Sequence, residues 1–264
     1  MKKTILLAAA FGLIAAGTVH AVDSSDGSNE QLPGSGISGT KHDLSSNGIG
    51  SMYPSENRAD GLADPLDRVC IWCHAPHHTM TENESGAIKY LPLWNHEVTV
   101  NTYTTYQSDF GEGPNDTTQP GEMSHVLNAD DGQPGSVSLL CLSCHDGSIA
   151  VNEYGRAPQR DYSESTGGDK IDAQFNIGGS AYGLLNHHPI GFDYTAVAAV
   201  DDEIAPVTKA FDGVGGILTI GSLLYDNKME CVTCHDVHNS KHAGETFLWI
   251  SDRNSAFCLT CHEK

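Results

Sequence analysis

The sequence predicts a single loop-rich domain, poor in regular secondary structure, with short helices and a few short strands wrapped around a repeated cysteine motif. Three observations carry this reading. The chain has eight cysteines, and all of them fall into four copies of one pattern, Cys-x-x-Cys-His. The stretches between the copies, such as FGEGPNDTTQPGEM and RDYSESTGGDKIDAQFNIGGSAYG, are rich in Gly, Asp, Asn, Ser and Thr and show no long 3.6-residue apolar period. Strand-like composition is confined to segments such as GVGGILTIGSLLY, Gly213 to Tyr225, which reads as one or two short strands broken at Gly221.

In chain order, residues 1–21 read as a secretory leader: Lys2 and Lys3, an apolar run from Ile5 to about Gly17, then Val19-His20-Ala21 as an approximate small-x-small cleavage site. The run is too short for the 18 or so residues of a spanning helix, so an exported chain without a membrane span is expected, extracellular or at the cell surface, with the periplasm as the alternative. Residues 22–60 form a Ser/Gly/Asp-rich arm that has no reason of its own to be ordered. No linker divides residues 61–264, which are read as one domain. The whole chain carries a formal charge of −20, and removal of the two leader lysines takes it to −22. Such a surface disfavours nucleic acid and anionic lipid as partners.

The four motifs are Cys70-x-x-Cys73-His74, Cys141-x-x-Cys144-His145, Cys231-x-x-Cys234-His235 and Cys258-x-x-Cys261-His262, here motifs I to IV. Short helices are expected to carry them. In this pattern two thiols can form thioethers to the two vinyl groups of a haem, and the adjacent histidine can turn onto the iron. Disulfides, zinc sites and thioredoxin-type pairs also use paired cysteines in exported chains, but none requires a histidine after every pair. With 14 histidines in 264 residues, four such histidines by accident have a probability on the order of 10⁻⁵. Four covalent haem c groups are therefore predicted, with the eight cysteines as attachment points and His74, His145, His235 and His262 as proximal iron ligands. A chain of this length has a radius of gyration of roughly 18 Å, so four macrocycles inside it come into near contact.

Once the proximal ligands are assigned and His20 leaves with the leader, nine histidines remain for four distal positions. Iron held by two histidines is coordinatively full and suited to outer-sphere electron transfer, whereas catalysis at haem needs an open or displaceable position. His77 and His238 each follow a proximal histidine by three residues. Such neighbours share one side of a helical turn, whereas two ligands of one iron approach from opposite faces, so both are expected to ligate a neighbouring haem. The short stretch between Cys234 and Cys258 favours a pairing of this kind between motifs III and IV. His188 is preferred over His187 because Pro189 restricts its backbone. His78, His125, His187 and His242 read as solvated or propionate-contacting. His42, in the arm, would gain order from a ligand bond to a haem of the same chain or of a neighbour, and His96, after a Leu-Trp unit, is as plausible by position.

Taken together, SGTKHDLSS, CIWCHAPH, PLWNHE, LCLSCHDGSIA, NHHPIGFDY, ECVTCHDVHN and FCLTCHEK resemble, in this order along nearly the whole mature chain, one family: the extracellular tetrahaem c-type cytochromes of metal-reducing microbes that polymerise into conductive filaments. The resemblance implies bis-histidine haems stacked in alternating parallel and T-shaped pairs, little secondary structure, and a histidine of one subunit completing a haem of the next. It implies His42, His77, His188 and His238 as distal ligands, with His96 as the alternative.

The expected function is extracellular electron transfer by hopping through the haems of a homopolymer, with other cytochromes or metal oxides as donors and acceptors. A monomeric periplasmic or surface carrier is the alternative, and a multihaem reductase with an open iron is the third reading. Against an enzyme stand the surplus of ligands, the histidine in every motif where some multihaem enzymes have lysine, and the lack of any nucleophile motif, phosphate loop or paired carboxylates.

Overall fold

A computed structural model describes residues 36–38, 40–44, 68–77, 93–106, 134–151, 153–154, 170–171, 173–179, 183–213, 216–239 and 247–263. All of them lie in one compact unit, Gln31–Lys264. The predicted leader, most of the arm, and His78, His125 and His242 lie outside the described residues.

The motifs share one local device. In motifs I, III and IV the histidine amide donates to the carbonyl of the first cysteine, from His74 to Cys70 at 2.8 Å, His235 to Cys231 at 3.0 Å and His262 to Cys258 at 2.9 Å. Four residues therefore close one helical turn. The chain then straightens: His235 and His262 adopt extended backbone, with φ −106° and ψ 123°, and φ −96° and ψ 126°. Each of the three histidines forms an isolated antiparallel bridge, to Trp94, Leu248 and Ile204 respectively. The bridge fixes the histidine on one side while the turn fixes it on the other. Motif II is different, because its histidine ends a ten-residue helix, α1, Ser136–His145.

The remaining elements are short: α2, Tyr194–Ala198; β1, Ala210–Gly213; β2, Gly216–Thr219; α3, Ile220–Leu223; α4, Cys231–Cys234; and α5, Cys258–Cys261. α4 and α5 carry motifs III and IV, whereas motif I is a hydrogen-bonded turn and not the expected helix. The expected strand near Gly221 is also different. β2 stops at Thr219 and pairs with the upstream β1 in the register Ala210 to Thr219. The next four residues form a helical turn in which the Ser222 hydroxyl accepts from the Thr219 amide at 3.3 Å. That turn carries Ile220, fully buried, into the core. Among the described residues no helix is long and apolar enough to cross a membrane.

The apolar side chains gather in several small clusters rather than one core. The largest unites Phe192, Tyr194, Val197, Ala205, Ile220 and Met229. Others form around Trp72 with Val151 and Tyr154, and around Tyr103 with Leu142 and Leu184. A buried carboxylate joins two segments near motif II. Asp146 Oδ2 accepts from Thr99 Oγ1 at 2.8 Å, Asn101 Nδ2 at 2.9 Å and Tyr103 OH at 2.8 Å. Its Oδ1 accepts from the amide and hydroxyl of Ser148 at 2.7 and 2.6 Å. Burial pushes the Asp146 pKa up, but these hydrogen bonds outweigh it and hold the carboxyl below its ordinary value.

Asp146→Ala strands the Thr99 and Tyr103 hydroxyls in a buried site. It is expected to cost about 2–4 kcal/mol and to lower the thermal midpoint of the haem-loaded protein by roughly 5–10 °C. A melt followed by far-ultraviolet circular dichroism checks this.

Candidate metal centres

The arm reaches the motifs through its backbone. The Gly36 amide donates to the Asn239 carbonyl at 3.1 Å, and Asn239 Nδ2 returns a bond to the Gly36 carbonyl at 3.1 Å. Thr40 is fully buried and holds the turn, its hydroxyl donating to the Ile37 carbonyl at 2.6 Å and accepting from the His42 amide at 3.2 Å. The next residue but one, His42, is thereby set against Phe247, ring centroids 4.7 Å apart.

Three imidazole pairs stand out. His42 faces His145 with ring centroids 6.2 Å apart, His238 faces His74 at 6.1 Å, and His188 faces His262 at 6.3 Å. An imidazole nitrogen binds a transition metal at about 2.0–2.1 Å and lies roughly 1.2 Å from its ring centroid, so two rings on opposite sides of one metal stand roughly 6.4 Å apart. All three pairs meet that separation, and each joins a motif histidine to a histidine outside the motifs. The interplanar angles are 59°, 23° and 67° for the three pairs in the same order.

The outer nitrogens of several of these rings are already directed. Nδ1 of His145 is 2.9 Å from the Phe175 carbonyl, Nδ1 of His235 is 3.3 Å from that of Phe247, and Nδ1 of His188 is 2.9 Å from that of Pro189. A carbonyl accepts only from N–H, which places the proton on Nδ1 and leaves Nε2 as the metal-facing atom. His42 also bonds a backbone group, at Val237, but lost solvation and the neighbouring imidazoles lower its pKa to about 4. That keeps the ring neutral and able to ligate.

His96 is arranged differently. It is 1% exposed, its Nδ1 lies 2.7 Å from the Glu97 carbonyl and its Nε2 lies 3.1 Å from that of Ala150. Burial lowers its pKa and keeps the ring neutral, so only one of the two nitrogens donates to its carbonyl. His77 is exposed at the edge of motif I, and among the described residues no second imidazole stands opposite His235 at the separation of the other three pairs. The expected link between motifs III and IV through His238 is not what the structure has: the ring reaches motif I instead.

The cysteines line up in chain order. The Cys141 thiol donates to the Val137 carbonyl at 3.8 Å, and interaction with Cys231 holds Cys141 above its ordinary pKa and Cys231 below. Cys144 is among the charges felt by Cys73, and Cys261 among those felt by Cys234. Cysteines of motifs I and II, II and III, and III and IV are thus near enough to influence one another's ionisation. Lost solvation pushes the thiols of Cys73, Cys144 and Cys234 up to about 12. Among the described residues no three His, Cys, Asp or Glu side chains cluster as a zinc site requires, whereas a thioether needs only the single sulfur and carries no ionisable proton.

Haem c fits these residues on further grounds. Cys73 and His42 keep accessible surface although both have lost much of their solvation, the pattern of groups that line an interior space. The indole N–H groups of Trp72 and Trp94 are buried without an acceptor among the described residues, and a propionate carboxylate is an acceptor of the right kind. Trp94 meets the His74 ring edge-on at 6.1 Å.

Two residues that the sequence reading passed over matter here. Asp146 and Asp236, the residues directly after two motif histidines, are both buried. Asp236 Oδ1 accepts from the His238 amide at 3.2 Å and so sets the backbone of that histidine. The signal was legible as a repeated Cys-His-Asp in motifs II and III. Glu230, directly before Cys231, is a third such residue.

No curated protein matches the chain. The family model of the doubled CXXCH motif matches residues 226–264, which hold motifs III and IV. This match and the sparse secondary structure support a multihaem c-type cytochrome, a chain that binds haem c covalently through its CXXCH motifs and transfers electrons.

Proposed function

We propose that the chain conducts electrons outside the cell through four bis-histidine haems, one per motif, and that copies of the chain join end to end into a filament. The observation that carries the reading is the set of three imidazole pairs, 6.1–6.3 Å between centroids, at motifs I, II and IV. A coordinatively full iron does outer-sphere transfer and little else. The mutual influence of cysteines in successive motifs supports attachment points near enough for electrons to hop between haems held there. The formal charge of −20 favours metal ions and cationic surfaces as the outer contacts.

The chain's own residues would divide the work as follows. The eight motif cysteines tether the macrocycles. His42 and His145, His74 and His238, and His188 and His262 hold three irons. Carbonyls of Phe175 and Pro189 orient the rings of His145 and His188 by accepting from Nδ1, and that of Phe247 does the same for His235. The bound haems supply reversible one-electron chemistry at iron.

The fourth iron, at His235, is completed in this reading by His77 of an adjacent copy, because His77 is exposed and the other predicted distal ligands are paired within their own chain. A reductase reading rests on the same residue, since a haem at His235 without a second imidazole would have an open position. The ferric spin state separates the two.

His238→Ala is expected to turn one of four haems high-spin in electron paramagnetic resonance while the other three stay low-spin, and His188→Ala does the same at another. His96→Phe leaves all haems low-spin; a high-spin signal in that variant would make His96 a ligand. Electron microscopy of the secreted protein should show filaments, and His77→Ala should reduce them to single chains with one high-spin haem. Wild-type protein that stays monomeric at high concentration contradicts the filament, and a wild-type filament with a strong high-spin signal contradicts the non-enzymatic reading.

A further inference from the structure

Glu230 is 1% exposed, and no sequence motif explains it. It stands at the N-terminus of α4 as cap residue, where its amide donates to Thr233 Oγ1 at 2.9 Å. Its carboxylate points away from α4 to the start of α1. Oε1 and Oε2 each lie 3.1 Å from the Gly135 amide, and Oε2 accepts from the Ser138 hydroxyl. Ser138 Oγ in turn accepts from the Cys231 amide at 3.0 Å. The position is built for this group: a Cβ on Gly135 would stand 2.1 Å from Glu230 Oε1. α1 has no acidic residue in its own first turn and no side-chain cap, so Glu230 is the negative charge at its N-terminus.

The clamp joins the two motif helices α1, which carries Cys141, and α4, which carries Cys231, and these two thiols influence each other's ionisation. The charged group facing it is Lys228, two residues upstream, and Lys228 Nζ lies 3.5 Å from the Gly191 carbonyl. The titratable groups on α1 are Cys141, Cys144 and His145 and those on α4 are Cys231 and Cys234; the four cysteines become thioethers on haem attachment. Burial pushes the Glu230 carboxyl up, more strongly than the Ser138 and Gly135 bonds and Lys228 pull it down. A protonated carboxyl also fits here, because Ser138 Oγ has two lone pairs and can accept from it while still accepting from Cys231.

Resting on the haem reading above, we infer that Glu230 is a positioning residue that fixes motifs II and III against each other and takes up a proton when this junction gains an electron. An electron from an external one-electron donor adds one negative charge beside a buried carboxylate; a proton from water, bound at a Glu230 oxygen, cancels it. Oxidation releases both. Coulomb attraction across a poorly solvated junction sets the sign, so reduction raises the proton affinity of Glu230.

The test is a spectroelectrochemical titration of the haem-loaded protein across a pH series. In the wild type, the midpoint potential of at least one haem falls as pH rises through a window above the ordinary carboxylate range. In Glu230→Gln that fall is lost within the window and the midpoint lies higher at neutral pH, because a negative charge is gone. Ser138→Ala, which removes a donor to the carboxylate, keeps the fall and moves its window to higher pH. Propionates titrate alike in all three proteins. An unchanged pH dependence in Glu230→Gln overturns the inference, as does a wild type with no fall. If Glu230→Gln does not load haem, an unmoved window in Ser138→Ala overturns it. A wild type without reducible low-spin haem refutes the electron-transfer reading itself.

Discussion

Three pairs of imidazole rings, held 6.1–6.3 Å apart, determine where the rest of this chain can run. Each pair takes one histidine from a motif and one from a distant segment: residue 42 against 145, 188 against 262, and 238 against 74. Few regular elements connect these segments, so the path between them is set by isolated bridges, single turns and side-chain hydrogen bonds. Loops are normally the part of a protein that tolerates change. Here most of the paired histidines sit on loops, with His145 at the end of α1, and buried polar groups hold their surroundings: Thr40 near His42, Asp236 before His238, and Asp146 after His145.

The small apolar clusters follow from the same constraint. Six buried residues around Tyr194 and Ile220 form the largest cluster, which packs against Cys261 of motif IV. Tyr194 is tied down by its hydroxyl, which donates to the Ala205 carbonyl at 2.8 Å. A domain of this length ordinarily buries one continuous core. Covalent macrocycles, each a large flat apolar body, would supply the missing interior between the clusters, which is why the motifs lie among them and not outside.

Much of this was legible in the sequence, and the boundary has a physical cause. A motif such as Cys231-x-x-Cys234-His235 is a local structure: two thiols and a histidine within five residues, closed by a hydrogen bond within the same five. Its chemistry is written in consecutive letters. The i+3 argument for His238 was also local, and it required only that the ring leave its own motif. Which motif it reached depended on how segments far apart fold back, and there the short spacing to Cys258 misled: His238 meets His74. His96 shows the same limit from the other side, since nothing near it in the sequence reveals that its ring is buried between the carbonyls of Glu97 and Ala150. Gly221 was read as a break within a strand, while the tertiary demand to bury Ile220 ended the strand one residue earlier, at Thr219.

The central claim is that these rings share metal ions in pairs. Electron cryo-microscopy of the haem-loaded protein, at a resolution that shows imidazole planes, tests it most directly. The account predicts one iron between His42 and His145, one between His74 and His238, and one between His188 and His262. An iron of motif I, II or IV whose second ligand is any other residue would contradict it.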